Sequence, residues 1–286
     1  MSEVVPGFAL GCALVKLATF LPAGSDAPRA GEVRGDEVVA FPPGTSVRDL
    51  LATDADATAD DEPFPLDRVT LLAPVPDPGV VYAIGLNYAA HAAETGGEPP
   101  ERPIVFVKAR NSVAPPGGPV RCPAVVRSLD YEGELTAVIG YDGGVGGYAV
   151  ADDVTGRDLQ GREPQWTRAK GADTFCPWGP WITTSDEVGD PGALRLRTWV
   201  NEELRQDAST ADLIFGVDDL VAFLAETQTL SPGDLILTGT PNGVGVGMDP
   251  PRFLEHGDVV RIEVEGLGAI EHPIEIPGAQ RVSGAR

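Results

Sequence analysis

The sequence predicts an α+β fold that is mostly β. Three observations lead there. Thirty-five glycines and 27 prolines among 286 residues suit many short strands joined by tight turns better than a helix bundle. From Gly79 onward, apolar runs of strand length follow one another. One segment, Asp218–Leu230, carries a clear helical repeat in Leu220, Val221 and Leu224. Strands therefore do not alternate regularly with helices, which argues against a doubly wound parallel sheet.

Residues 1–75 read as a small N-terminal β appendage. A strand is expected at Ala13–Phe20 and a second at Glu37–Phe41, followed by a short capped helix in Thr45–Leu51. Asp54, Asp56, Asp60, Asp61 and Glu62 alternate with Ala and Thr as a solvated linker does. The proline-rich stretch from Pro63 to Pro78 marks the entry to the main domain, residues 76–286. Its strands are expected at Val80–Ile84, Ile104–Val107, Tyr131–Tyr141, Gly147–Ala151, Trp181–Thr184, Leu194–Asn201, Leu235–Thr238 and Val259–Val264. Asp218–Leu230, N-capped by acids, is stopped by Ser231-Pro232-Gly233-Asp234.

Charge excludes some partners. With 43 acidic against 21 basic residues the net charge is −22, which argues against nucleic acid and against an anionic membrane surface. The apolar stretch Val4–Leu21 is interrupted by Pro6, two glycines and Lys16, which makes it a poor spanning helix, and it lacks the basic start of an export signal. Cys12, Cys122 and Cys176 are far apart and form no CxxC, so a reduced cytoplasm is expected.

Several segments carry chemistry. In Leu129-Asp130-Tyr131-Glu132-Gly133-Glu134-Leu135, Glu132 and Glu134 share a strand face within an apolar run. Buried together they need a proton or a cation between them, and a hard divalent ion suits oxygen ligands; the alternative is a solvated strand end. Ala151-Asp152-Asp153-Val154-Thr155-Gly156-Arg157 adds acids where a strand gives way to a short helix, where an Asp either caps the helix or joins a three-carboxylate metal site. His91 and Glu94 are three apart in an alanine-rich stretch. On a helix they share a face, as an oriented general base or as an exposed pair. His256 and His272 lack comparable company and read as surface residues, as does Lys170 taken alone. The glycine-rich run Gly239–Gly247 lacks dinucleotide spacing and a P-loop lysine.

Taken in order, these blocks resemble the fumarylacetoacetate hydrolase family from about residue 79 to 275. They include Ile84-Gly85-Leu86-Asn87-Tyr88 through Glu94, Val105-Phe106-Val107-Lys108, the Glu132 and Asp153 segments, Lys170 through Pro180, Val200–Asp207 and Leu237–Gly245. The resemblance implies a β-sandwich roll of mixed sheets, usually a homodimer. It implies a Mg²⁺ or Mn²⁺ site on Glu132, Glu134 and Asp153, a lid-borne dyad of His91 and Glu94, and Lys170 near the metal. Arg157, Gln160 and Thr240 match residues that line or brace the substrate pocket. Two departures stand out: Gly133 replaces a larger apolar residue, and Ala109-Arg110-Asn111 replaces a proline-containing run.

The implied activity is metal-dependent C–C bond hydrolysis of 2,4-dioxo acids of the acylpyruvate or fumarylpyruvate type, through an enolate stabilised by the ion. Oxaloacetate decarboxylation and 2-oxo diacid isomerisation or hydration use the same site. A non-catalytic ligand-binding member is the reading from another class; it predicts a broken dyad or triad, and all five positions are intact.

Overall fold

The computed structural model describes residues 15–53 and 58–278. Cys12, Ala13, Asp54 and Asp56, all used above, lie outside the described residues. Among those described, twelve strands form one mixed sheet. Its main path runs Pro63–Pro65, Glu37–Ala40, Arg29–Arg34, Lys16–Pro22, Cys176–Thr184, Val145–Asp152, Gly133–Ile139, Leu235–Leu237, Val81–Gly85 and Ile104–Lys108. Neighbours on this path are antiparallel except Leu235–Leu237 beside Val81–Gly85. A second sheet orders Glu203–Ser209, Arg195–Val200, Val259–Val264, Gly268–Glu275 and Val120–Arg121.

The large sheet is buried on both faces, which is why its central strands are continuous apolar runs. Along Gly133–Ile139, Leu135, Ala137 and Ile139 face a core shared with Leu196, Ile262 and Ile270 of the second sheet. Val138 faces the opposite core, with Trp178, Leu235 and Val47. The N-terminal strands extend the same sheet, since Lys16 and Leu17 pair with Thr183 and Ile182.

The structure differs from the sequence expectation in several places, each with a local cause. The strand Arg29–Arg34 was not anticipated. Its Gly31 packs so tightly that a Cβ there would lie 2.5 Å from Val38 Cγ2. The predicted strand Tyr131–Tyr141 is regular only over Gly133–Ile139. Before it, the N–H groups of Tyr131 and Glu132 donate to the side chains of Asp130 and Asp152, not to a neighbouring strand. The helix runs Val217–Ala225 and stops short of Leu230. Thr227 N–H turns back to Leu224 C=O, and Leu230 folds into the core. The N-cap of the helix is Gly216, not an acid; the expected acids lie in the first turn, where Asp219 reaches back to accept from Gly216 N–H.

Gly133 marks where the two sheets touch. A Cβ there would meet Thr198 Oγ1 at 2.3 Å and Ile262 Cγ2 at 3.0 Å. Gly133 N–H donates to Gln206 Oε1 at 3.0 Å, and Gly133 C=O accepts from Thr240 Oγ1 at 2.9 Å. The absent side chain thus brings the second sheet's Gln206 and Thr198 onto the backbone next to Glu132 and Glu134. Gly133→Ala is expected to cost about 1–3 kcal/mol in urea unfolding through overpacking. The loss should shrink in a Thr198→Ala background, where the nearest clashing atom is gone. Equal penalties in both backgrounds would show that this contact does not set the requirement.

Candidate active site

The register of two strands builds the acidic cluster. Gly133 pairs with Asp152 and Glu134 with Ala151. One step beyond, Asp153 N–H donates to Glu132 C=O at 2.9 Å, so Glu132 and Asp153 face each other across the ladder. Cross-strand partners share a face, and Glu134, two residues on, shares it too. Carboxylate oxygens of Glu132, Glu134 and Asp153 lie within 4.8 Å of one another, and all three residues are buried.

Three cations surround them. Lys170 Nζ lies 2.7 Å from both Glu132 Oε2 and Asp153 Oδ2. Far from the surface position expected for a lone lysine, it is buried, because the Thr167–Lys170 turn packs it over the Phe106 ring, 5.1 Å from the centroid. Lys108, at the end of Ile104–Lys108, contacts Asp153 Oδ1 and the Lys170 carbonyl. Arg157 joins Glu132 Oε1 at 2.7 Å, Asp130 Oδ2 at 2.8 Å and Gln160 Oε1 at 3.0 Å. Its Nη2 is buried without a hydrogen-bond partner.

These neighbours divide the carboxyls. Burial alone would raise Glu132, but Lys170 and then Arg157 outweigh it and hold the group down to about 2. Glu134 is pushed well above the usual carboxylate range by burial and by the charges of Asp153 and Glu132. Held this close, the three carboxylates repel one another when charged. A divalent ion would relieve the repulsion, and an all-oxygen donor set of this kind suits Mg²⁺ or Mn²⁺.

His91 and Glu94 lie on the helix Ala89–Glu94, with His91 Nδ1 3.4 Å from Glu94 Oε2. Asn87 anchors that helix: its side chain accepts from Phe215 N–H at 2.9 Å and donates to Thr238 C=O at 2.8 Å. Glu94 Oε1 in turn accepts from Gly243 N–H at 2.9 Å. Its carboxyl rests on Gly247, where a Cβ would come within 2.2 Å of Glu94 Cδ.

The glycine-rich run therefore has a use that its spacing did not suggest. Its N–H groups serve carboxylates of the protein itself: Gly239 to Glu134 at 2.7 Å, Gly243 to Glu94, and Gly245 and Val246 to Asp130 at 2.8 and 3.0 Å. Thr240 spends its hydroxyl on Gly133 C=O and accepts from Gln206 Nε2 at 2.8 Å, so it braces the strand while lining the cavity.

A cavity of about 360 Å³ is lined by His91, Glu132, Arg157, Gln160, Lys170 and Thr240, together with the apolar Trp166 and Leu86. Sequence reasoning missed Lys108, Asp130 and Gln206 as parts of this site. It also misplaced His272, which is fully buried and bonded to Asp152 at 3.0 Å. The signal was present in Gly268–Glu275, where Ile270, His272 and Ile274 alternate inward. His256 is half-buried, its Nδ1 accepting from Ile276 N–H.

Lys108→Met keeps most of the side-chain volume but removes a buried partner of Asp153. A loss of about 3–5 kcal/mol is expected in urea unfolding of chelator-treated protein. Stability within about 1 kcal/mol of the native chain would show that Lys108 does not offset the acidic cluster.

Comparison with known proteins identifies the family. The family described as "Fumarylacetoacetate (FAA) hydrolase C-terminal" matches residues 80–275. Oxaloacetate tautomerase YisK of Bacillus subtilis is 41% identical over 225 residues, covering 74% of this chain and 75% of that one. The crystal structure of 2-hydroxyhepta-2,4-diene-1,7-dioate isomerase from Mycobacterium marinum superposes with a TM-score of 0.78 at 33% identity, over 93% of this chain and all of that one. Maleylpyruvate hydrolase from Sphingobium sp. SYK-6, in complex with manganese(II) and pyruvate, superposes with a TM-score of 0.73 at 30% identity, over 91% and 99%. The match to the family across residues 80–275 spans every acid, lysine and histidine of the cavity just described, and the protein belongs to the fumarylacetoacetate hydrolase family.

Proposed function

We propose that this chain is a Mg²⁺- or Mn²⁺-dependent enzyme that moves a proton at C3 of a 2-oxo acid, with 2-oxo diacids of the oxaloacetate type as its substrates. The observation that carries this reading is a cavity lined by His91, Arg157, Lys170 and Glu132, the last of these clustered with Glu134 and Asp153 behind it. The oxaloacetate tautomerases among its relatives support the substrate class. Free, buried Cys122 and Cys176 agree with a reducing cytoplasm.

Glu132, Glu134 and Asp153 would hold the ion. When bound, a divalent cation polarises the 2-oxo carbonyl and stabilises charge developing on its oxygen. The remaining work belongs to side chains. Arg157 offers its unpartnered Nη2 as a donor for a substrate carboxylate, and a charge-assisted bond there orients the acid. Glu94 engages His91 at Nδ1, leaving Nε2 as the ring nitrogen to take the C3 proton. Lys170 is held charged: burial would lower it, but Asp153 and Glu132 raise it, so it steadies negative charge without giving up its proton. His91 Nε2 then delivers the proton it took from C3 to the 2-oxo oxygen, which completes the keto–enol exchange and returns the imidazole to its starting state.

A second reading, hydrolytic C3–C4 cleavage of a 2,4-dioxo acid, is favoured by the same His91–Glu94 pair, since an oriented imidazole also deprotonates water. The maleylpyruvate hydrolase neighbour supports it. The two readings separate by assay of oxaloacetate tautomerisation beside hydrolysis of acetylpyruvate and fumarylpyruvate. Faster turnover of oxaloacetate is expected, abolished by EDTA and restored by Mn²⁺. His91→Ala should lower it by about 10²–10⁴, and Gly247→Ala, whose methyl displaces Glu94, by at least about tenfold. Turnover that survives EDTA contradicts the metal assignment, and faster cleavage of the dioxo acids selects the hydrolytic reading.

A further inference from the structure

Glu132 lies just outside the regular strand that begins at Gly133, so its N–H has no partner in the sheet ladder. Asp152 supplies one. Its Oδ1 accepts from Glu132 N–H at 2.8 Å, while Asp153 N–H holds Glu132 C=O at 2.9 Å. The two peptide groups flanking Glu132 are thereby fixed, and with them the direction in which its carboxylate points.

Asp152 is itself fully buried, and its second oxygen, Oδ2, is 3.0 Å from His272 Nε2. His272 comes from the other sheet, where it pairs with Val260 on the strand Val259–Val264. It is also fully buried, and its Nδ1 has no hydrogen-bond partner. A carboxylate accepts only, so Nε2 carries the shared hydrogen, and Nδ1 lies in the core without a hydrogen-bond partner. An apolar residue between Ile270 and Ile274 would avoid that orphan atom, but it would leave Asp152 Oδ2 unpaired in its place.

We propose that His272 is a positioning residue for the metal-binding Glu132, acting through Asp152 without touching substrate or ion. The inference rests on the reading of Glu132, Glu134 and Asp153 as a metal site. A bond that only stitched the two sheets together would affect stability alone. A positioning bond also sets metal affinity, because groups behind a ligand orient it and their removal typically costs about 10–100-fold in binding.

His272→Gln and His272→Asn form a matched test. The glutamine amide reaches the place of Nε2 and keeps a donor for Asp152, whereas the shorter asparagine withdraws it. Metal-stripped full-length protein is titrated with MnCl₂ by calorimetry, and thermal melting without metal is recorded in parallel. The expected result is a Kd within about threefold of native for His272→Gln and raised about 10–100-fold for His272→Asn. Equal Kd values in two folded variants, with only the melting temperature changed, would overturn the proposal. If His272→Asn does not fold, His272→Met fills the space without a donor, and the same loss is required of it. Failure of the native chain to bind Mn²⁺ removes the metal reading and this inference with it, an outcome distinct from native binding that the variants leave unchanged.

Discussion

Three buried carboxylates brought within 4.8 Å of one another repel strongly, and each is also costly to bury. The antiparallel register around Gly133 and Asp152 nevertheless makes their meeting unavoidable. Much of the surrounding structure answers that constraint. Lys170 lies between Glu132 and Asp153, Lys108 backs Asp153, and Arg157 ties Glu132 to Asp130. Glu134 is raised by its burial first and by the charges of Asp153 and Glu132 second, and a divalent ion there would offset that negative charge.

Backbone donors do the second part of the work. A helix N-terminus or glycine loop commonly turns its N–H groups toward a ligand anion. Here the loop from Gly239 to Val246 turns them toward Glu134, Glu94 and Asp130. Glycine is needed at Gly247 because Glu94 occupies the space a side chain would fill, and at Gly133 because Thr198 does. One loop thus connects the triad, the His91–Glu94 pair and, through Asp130, Arg157. Substitutions within it are felt across the whole cavity.

Two pairs of this candidate site were visible in local spacing, each with a surface alternative, and the family resemblance supplied Lys170, Arg157, Gln160 and Thr240. Glu132 and Glu134 are two apart on an apolar strand, and His91 and Glu94 are three apart on a helix, so each pair was visible as a pair. What joined the pairs was not local. Asp153 reaches Glu132 through a ladder register, and Lys170 lies beside both only after a turn packs over Phe106. Lys108, Asp130 and Gln206 are polar residues whose burial depends on partners 27 to 73 residues away. His272 was misread because isolation in sequence was taken for exposure, although its alternation with Ile270 and Ile274 put it on the inward face. At the level of the fold, the strands of the large sheet were readable because burial on both faces leaves continuous apolar runs. Arg29–Arg34 was missed because its tight packing uses a glycine.

The central claim is that Glu132, Glu134 and Asp153 jointly ligate one divalent cation. Anomalous X-ray diffraction from crystals grown with MnCl₂ tests it most directly. A single strong peak is expected at bonding distance from one oxygen of each of the three carboxylates. No peak there at Mn²⁺ concentrations that saturate activity, or a peak bound by other residues, would contradict it.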